Sequence, residues 1–442
     1  MESQGPHGMQ NLPVAKQLRG LSSSSHANPP FKKVISEERM APLRQAAPPD
    51  WALMEAVRYY YEFLTPAWPT DIVAKEPATF HKLGTMTPFF IGRMIEYRFL
   101  TACKQKDKLM RPDIDPSSAV LWQKLLEFVL FQIRTLNSKF SGARPKTANA
   151  ILYGFFTLII SVNSLDMSIS RAHLKGAFAY INYMGGFDVV SKFPYREYSF
   201  CWLVRLVIVS NTTCPAGHQE LSCENYPEDG LKKVLAWDLN PSLPVPLELM
   251  MALVRINRLR YQVATGQALD QPLIDSVREI FANINHCNLE IFSAIGNIVT
   301  TELSYPIAKI FQCAVQLFGI LTLPRHAVLL FFSAALEDKD PDAYTELRNS
   351  HRRRLIGLSR QILPALRYTP AIYWPMVVAG VAAATEEAGE QDQKYIAKLL
   401  YEAWKNHLTP LQKLRMLEKL QCFWQSGETD WDACFRDPIL CW

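Results

Sequence analysis

The segment SISRAHLKGAFAYINYMGG, residues 168–186, contains the two features that indicate the fold of this chain. Apolar residues recur in it at the three- and four-residue spacing of one helix face, at Leu174, Ala177, Phe178, Ile181 and Met184. Gly185 and Gly186 follow, and paired glycines readily adopt the left-handed conformation that ends a helix. The segment therefore predicts a helix that buries one face and stops at the glycine pair, with His173 bordering the apolar stripe and Gly176 allowing another backbone to approach.

Helical spacing of apolar residues continues along most of the chain, without the alternation typical of strands. The predicted helices are Trp51–Leu64, Thr87–Cys103, Ser117–Leu136, Thr147–Val162, Glu197–Val209, Leu247–Tyr261, Pro272–Ile284, Leu289–Ile298, Ile307–Leu321, Ala343–Leu363, Ala371–Thr385 and Gln393–His407. The interval Asn211–Pro246, with five prolines and the pair Asp229-Gly230, predicts a long irregular connection. No segment repeats at a fixed period, so the predicted class is all-α, a single large multi-helix domain.

The last predicted helix has the clearest start, because Thr409 can cap it and Pro410 suits its first position. An apolar stripe follows, formed by Leu411, Leu414, Leu417, Leu420 and Phe423. Lys413, Glu418 and Lys419 are predicted on the opposite, solvent-facing side. We expect the stripe to pack against the same domain.

Composition divides the 442 residues into two parts. Residues 1–49 contain serine and proline runs with few large apolar residues, which predicts a flexible N-terminal arm. Residues 50–442 are predicted to form the helical domain. Hydrophobic residues make up 49% of the chain and charged residues 20%, which favours a packed core over wholesale disorder.

Charge, apolar runs and cysteines limit the partners and the compartment. The net charge of +5 is spread along the chain, so no nucleic-acid-binding surface is predicted from it. The one dense cationic run, His351–Arg354, is interpreted as a solvated helix face, with an import signal or a contact patch as alternatives. The apolar stretch Thr147–Leu165 is too short and polar to span a bilayer, and no signal or transit peptide is predicted. Nine scattered cysteines without a CxxC pair predict reduced, mostly buried thiols in an intracellular protein.

No residue pattern predicts a metal, a cofactor or a catalytic site. Cys214, His218 and Cys223 offer three ligands in a loop without a fourth, so two thiols in a loop are favoured over zinc. Asp338, Asp340 and Asp342 alternate as in a calcium loop, but Ala343 and Asn349 replace its glycine and its bidentate glutamate. The nucleophile-elbow, phosphate-loop, zinc-protease and dinucleotide motifs are missing from the sequence, which predicts that the chain is not an enzyme.

A second signature lies in the C-terminal half. Trp374-Pro375 precedes Ala379-Gly380, and Trp424 and Trp431 follow nearer the end of the sequence. Pro375 is tolerated in the first turn of a helix, and the small residues allow tight packing. With the first segment, these positions resemble the fungal-specific transcription factor domain of the second type, over roughly residues 50 to 440. The motif positions, for which we expect structural roles, are His173, Gly176, Gly185, Gly186, Trp374, Pro375, Gly380, Trp424 and Trp431.

The resemblance implies an all-helical regulatory domain that tunes transcription in the nucleus, with shuttling to the cytoplasm as an alternative. Domains of this family can sense a small molecule and often dimerise. DNA-binding members carry a six-cysteine, two-zinc cluster ahead of this domain, whereas residues 1–49 here contain no cysteine. The leading hypothesis is a regulator or co-regulator that acts through a DNA-binding transcription factor, or with a second copy of itself, on a secondary-metabolite gene cluster. The alternatives are a helical module that binds a small molecule, and an enzyme of the same pathway.

Overall fold

The computed structural model describes thirteen stretches of the chain. They are 119–141, 151–152, 154–156, 158–159, 167–190, 197–219, 226–236, 245–290, 301–332, 341–362, 372–385, 387–405 and 412–439. Their regular elements are all helical, and these stretches contain no β-strand, which confirms the predicted all-α class. The predictions for the arm 1–49 and for the helices 51–64 and 87–103 lie outside the described residues.

Fourteen α-helices have complete described bounds. They are α1 Ala119–Ser141, α2 Met167–Tyr183, α3 Phe187–Val190, α4 Glu197–Thr212, α5 Glu228–Leu235, α6 Leu247–Ala264, α7 Gln271–His286, α8 Thr301–Thr322, α9 Arg325–Phe332, α10 Pro341–Ile362, α11 Tyr373–Ala382, α12 Glu387–Lys405, α13 Gln412–Ser426 and α14 Trp431–Cys434. Ala216–His218 and Ala383–Thr385 form 3₁₀ turns, and the described residues between 151 and 159 are helical. The proposed cap Thr409-Pro410 lies outside the described stretches.

The described parts of the interval between α4 and α6 are more regular than its prolines predicted. α4 continues to Thr212, and α5 begins directly after Pro227. The predicted turn pair Asp229-Gly230 therefore lies in the first turn of a helix, where proline just ahead of it is compatible with helix geometry. The helix α9 was not predicted at all. Its eight residues are too few for a periodic apolar pattern to stand out from the sequence around it.

Helix α8 lies at the centre of the domain. All residues from Ile310 to Ile320 are buried, and the helix packs against α6, α7, α10 and α11. The segment Tyr305–Thr322 is long and apolar enough to cross a membrane by composition, but the protein itself buries 72% of it. It is therefore best explained as the central core helix, and its buried residues belong to one apolar core that also includes residues from α1 and from the C-terminal segment.

The cationic run in α10 is only in part the solvated face that was predicted, because Arg353 and Arg354 are exposed but Arg352 is buried. Arg352 is 1% exposed, and its Nε lies 3.3 Å from Asp392 Oδ2 of α12. One turn earlier, buried Arg348 donates to the carbonyl oxygens of Val381 and Ala382, each at 3.0 Å. The last carbonyls of a helix have no partner within it, and a cation there is also favoured by the helix dipole. Two arginines of α10 thus hold the C-terminal end of α11 inside the core.

Lys413 is also buried, contrary to its predicted place on the solvent side of α13. It is 1% exposed, and its Nζ lies 3.8 Å from the centroid of the Tyr373 ring. A lysine can bury its aliphatic stem and direct its ammonium group to an aromatic face. The apolar stripe itself is placed as predicted, because Leu417, Leu420 and Phe423 are buried.

Two glycines in long helices provide a matched test of core packing. A Cβ at Gly319 of α8 would lie 2.9 Å from the ring of Phe281, whereas a Cβ at Gly357 of α10 meets nothing within 4 Å. We expect Gly319→Ala to lower the free energy of unfolding by about 1–3 kcal/mol, because the buried ring must shift. Gly357→Ala should raise it by about 0.5–1 kcal/mol through helix propensity alone.

Denaturant unfolding of both variants would measure the difference. Equal effects of the two substitutions would contradict the tight packing of α8 against Phe281.

Candidate functional site

The motif positions of the C-terminal half meet at the end of α4. Trp374 of α11 donates from Nε1 to Thr212 Oγ1 at 2.8 Å, and Trp431 of α14 donates to the carbonyl oxygen of Thr212 at 2.7 Å. Both indoles are buried, and a buried indole N–H requires an acceptor. One residue at a helix end therefore accepts hydrogen bonds from two distant tryptophans. We call Thr212, Arg260, Phe318, Trp374 and Trp431 the tryptophan junction.

Phe318 of α8 fills the space between the two indoles. Its ring contacts Trp374 edge-on with centroids 5.8 Å apart, and Trp431 in the same manner at 4.9 Å. Phe311, two turns earlier on α8, stacks on Trp374 at 5.6 Å. Edge-to-face and stacked pairs at these distances are favourable beyond the area that they bury. The central helix thus links Trp374 and Trp431 of the second signature.

Arg260 of α6 supplies the positive charge of the junction. Its side chain is 1% exposed, and Nη2 donates to Asp432 Oδ1 at 2.7 Å and to the Cys214 carbonyl at 3.1 Å. Nη1 donates to the carbonyl of Asn211 at 3.2 Å. A buried guanidinium with this many acceptors replaces the hydration that it loses. It binds the carbonyl end of α4 and the C-terminal segment at once.

The C-terminal segment closes the junction from outside. Asp432 Oδ2 accepts from the Ala216 amide at 3.1 Å, and the amide of Ile439 donates to the Thr213 carbonyl at 3.2 Å. The hydroxyl of Thr213 donates to the carbonyl of Ile439. Asp430 caps α14 by accepting from the Asp432 amide at 2.9 Å. These hydrogen bonds join the residues that follow α4 to the C-terminal segment, more than 200 residues later in the sequence.

Trp424 and Gly380 form a second contact between the motif positions. Trp424 Nε1 donates to the Gly380 carbonyl at 2.8 Å, which fixes α13 on α11. A Cβ at Gly380 would lie 2.9 Å from Leu420 Cδ1, so a side chain at this position would push the helices apart. Pro375 lies in the first turn of α11, as predicted, where its missing amide has no intrahelical acceptor.

The first signature occupies another part of the core, on α2. Gly185 and Gly186 have φ of 99° and 79°, so the predicted left-handed helix end is confirmed. Their amides donate to the carbonyls of Asn182 and Ile181. The expected backbone approach at Gly176 is wrong, because the nearest group to its Cβ position is the ring of Phe155 at 3.1 Å. The structure therefore does not bring the first signature to the tryptophan junction.

His173 is the one titratable motif residue, and it is buried in α2. Its Nε2 has no hydrogen-bond partner among the described residues. Burial disfavours the imidazolium and lowers the pKa of His173 to about 4. The side chain is thus neutral near pH 7, and the predicted place beside the apolar stripe is correct.

The groups considered for metal binding do not assemble in the part of the chain that the structure describes. Cys214 is buried and its thiol donates to the Asn211 carbonyl at 3.3 Å, whereas His218 is exposed. Cys223, Asp338 and Asp340 lie outside the described residues. No group of three or more His, Cys, Asp or Glu side chains suited to an ion occurs among the described residues. The six described cysteines are free, and all but Cys422 are buried, as predicted.

Comparison with known proteins identifies what is built around this junction. Residues 123–440 match the fungal specific transcription factor domain. The chain belongs to this family. It is a family of transcription factor domains and not of enzymes, so the resemblance, and the prediction that the chain is not an enzyme, are confirmed.

One curated relative is the phomenoic acid biosynthesis cluster-specific transcriptional regulator of Leptosphaeria maculans. The two sequences are 25% identical over 310 residues, which cover 69% of this chain and 57% of the relative. The matched region thus spans little more than half of the relative's length. No solved structure matches the chain.

Sequence reasoning missed Thr212, Arg260 and Phe318 of the junction, and also Asp432, which binds Arg260. Arg260 stands in a predicted helix among other arginines, and Thr212 was assigned to an irregular connection. The only sequence signal was indirect, because two buried tryptophans require acceptors, and the capable acceptors cannot be located without the fold.

Thr212→Val tests the hydrogen bond to Trp374. Valine keeps the shape but removes Oγ1, which leaves a buried indole N–H without its acceptor. We expect the free energy of unfolding to fall by about 1–3 kcal/mol. Thr212→Ser, which keeps the hydroxyl, should lose less. In a Trp374→Phe background, Thr212→Val should cost clearly less than in the wild type, since no N–H remains to be satisfied. Additive effects in this double-mutant cycle would contradict the proposed coupling.

His173 predicts a pH dependence of stability. Its pKa is about 4 in the folded state and near 6.5 when unfolded, so the unfolded chain binds more protons between these values. The contribution of neutral His173 to stability is complete above about pH 6.5 and is lost as the pH falls towards 4. At pH 5 the loss in the free energy of unfolding is about 2 kcal/mol. Denaturant unfolding at pH 7.5 and at pH 5 should show a smaller fall in the free energy of unfolding for His173→Gln than for the wild type. The exposed His286→Gln is the control, and an identical loss in all three proteins would refute the assignment.

Proposed function

We propose that these 442 residues regulate transcription in the nucleus by acting through a DNA-binding polypeptide, on genes of a secondary-metabolite cluster. The match of residues 123–440 to the transcription factor domain carries the proposal. The relative that regulates a phomenoic acid cluster supports the class of target genes.

The DNA-binding polypeptide in this proposal supplies the zinc chemistry that residues 1–122 do not contain. A two-zinc cluster needs six cysteines, and residues 1–122 contain one, Cys103. These residues therefore cannot build the zinc module by which DNA-binding relatives read bases. Within the 442 residues, we assign the domain to contacts with protein.

We also propose that the nine motif positions are architectural. Three of them, Trp374, Trp424 and Trp431, donate the indole hydrogen bonds that join α4, α11, α13 and α14, and the Gly380 carbonyl accepts the one from Trp424. The glycines end a helix or admit close packing. The alternative of a small-molecule sensor rests on the aromatic and methionine content of the sequence. In the described core those rings contact one another, so packing already accounts for them.

Chromatin immunoprecipitation of the tagged full chain tests the proposal. We expect occupancy at promoters of one biosynthetic cluster, and loss of that occupancy when the zinc-cluster factor that co-purifies with the chain is deleted. Transcripts of the same cluster should change when this chain is deleted.

Purified full chain should show no preference for promoter DNA over a shuffled duplex in a salt-matched binding assay. Selective binding of the promoter by the chain alone, or occupancy that survives deletion of every co-purifying factor, would contradict the proposed mode of action.

A further inference from the structure

The arginine run of α10 has a place in the fold that its sequence does not suggest. Runs rich in lysine and arginine are typical of nuclear import signals, and a receptor can contact every side chain of such a run only where the chain exposes them all. An extended peptide exposes successive side chains along both of its sides. His351–Arg354 instead lies in the middle of a helix of 22 residues, where neighbouring side chains point in directions about 100° apart.

Two of the four side chains are not presented as cations. Arg352 is 1% exposed, lies 3.3 Å from Asp392 and donates to the Ala382 carbonyl at 3.4 Å. His351 is half-buried against the ring of Phe332, and burial lowers the pKa of its imidazole. Its Nδ1 lies 2.9 Å from the Leu347 carbonyl.

The remaining two arginines are exposed at the surface. Arg353 is 57% exposed and pairs with Glu346 of the same helix. Arg354 is exposed one position later. Exposed pairs of this kind contribute little to stability. The surface of α10 therefore presents two adjacent cations and not the four-residue basic run that the sequence shows.

Presenting all four residues to a receptor would require α10 to leave the core. The helix carries Tyr344, whose hydroxyl donates to the Ile320 carbonyl at 2.6 Å, and buried Leu355 and Ile356. Its removal would also free Asp392 and the C-terminal carbonyls of α11, which are costly to leave buried and unpaired. Exposing all four residues of the run would therefore unfold the part of the core that α10 builds.

We infer that the arginine run of α10 is a core-capping element and not an import signal, so that nuclear entry depends on residues outside Pro341–Ile362. This inference rests on the nuclear site of action proposed above. The two exposed arginines then take no part in import, and Arg352 stabilises the packing of α11 and α12.

The test uses the full chain fused to three fluorescent proteins, a size that does not diffuse through the nuclear pore. Arg353→Ala with Arg354→Ala removes both exposed cations and spares Arg352, whose loss would remove the buried partner of Asp392 and destabilise the fold. Lys394→Ala with Lys398→Ala is the matched control, because both lysines are exposed and paired on the surface of α12. Melting temperatures establish that both variants fold.

Nuclear fluorescence of the arginine variant equal to that of the control and the wild type is the expected result. Loss of nuclear signal in the arginine variant alone would overturn the inference. Cytoplasmic wild-type protein would instead overturn the proposed nuclear function.

Binding of the purified wild type and arginine variant to the import receptor that recognises basic peptides provides a second test. Equal retention of the wild type and the arginine variant supports it, and weaker retention of the variant refutes it.

Discussion

The fold depends on satisfying the carbonyl groups at helix ends that lie inside the core. A helix leaves its last carbonyls without intrahelical partners, and water cannot reach them in the interior. Here Arg260 and Trp431 bind the end of α4, while Arg348 and Arg352 bind the end of α11. These contacts hold in place the helices against which α8 packs. Buried arginines thus hold the C-terminal ends of α4 and α11 against neighbouring helices.

This arrangement explains which parts of the structure the sequence could predict. Helix positions follow from local spacing, and the predicted segments near Leu247 and Pro272 agree with α6 and α7 within a few residues. The helix end at Gly185-Gly186 was predictable because it depends only on the conformational freedom of two neighbouring residues. The family could be inferred from tryptophans and glycines, whose sizes constrain packing regardless of the partners that they contact.

The errors share one physical cause. Arg352 and Lys413 were placed in solvent because charged residues are rarely buried, and that rule fails when a partner from a distant helix is available. Asp392 and the ring of Tyr373 provide those partners, and neither could be assigned from local sequence. The junction at Thr212 was missed for the same reason, since its hydrogen-bond donors lie more than 160 residues away. Non-local pairing leaves no periodic signal.

The pairing of Thr213 with Ile439, 226 residues apart, means that the core around Phe318 cannot close until residues 431–439 have been synthesised. Before that point Trp431 and Asp432 cannot reach Thr212 and Arg260, and the nascent chain retains an open apolar surface around Phe318. A nonsense codon between α13 and Trp431 would leave the protein in that state permanently. Quality-control proteases that act on exposed apolar surface would then remove the truncated product.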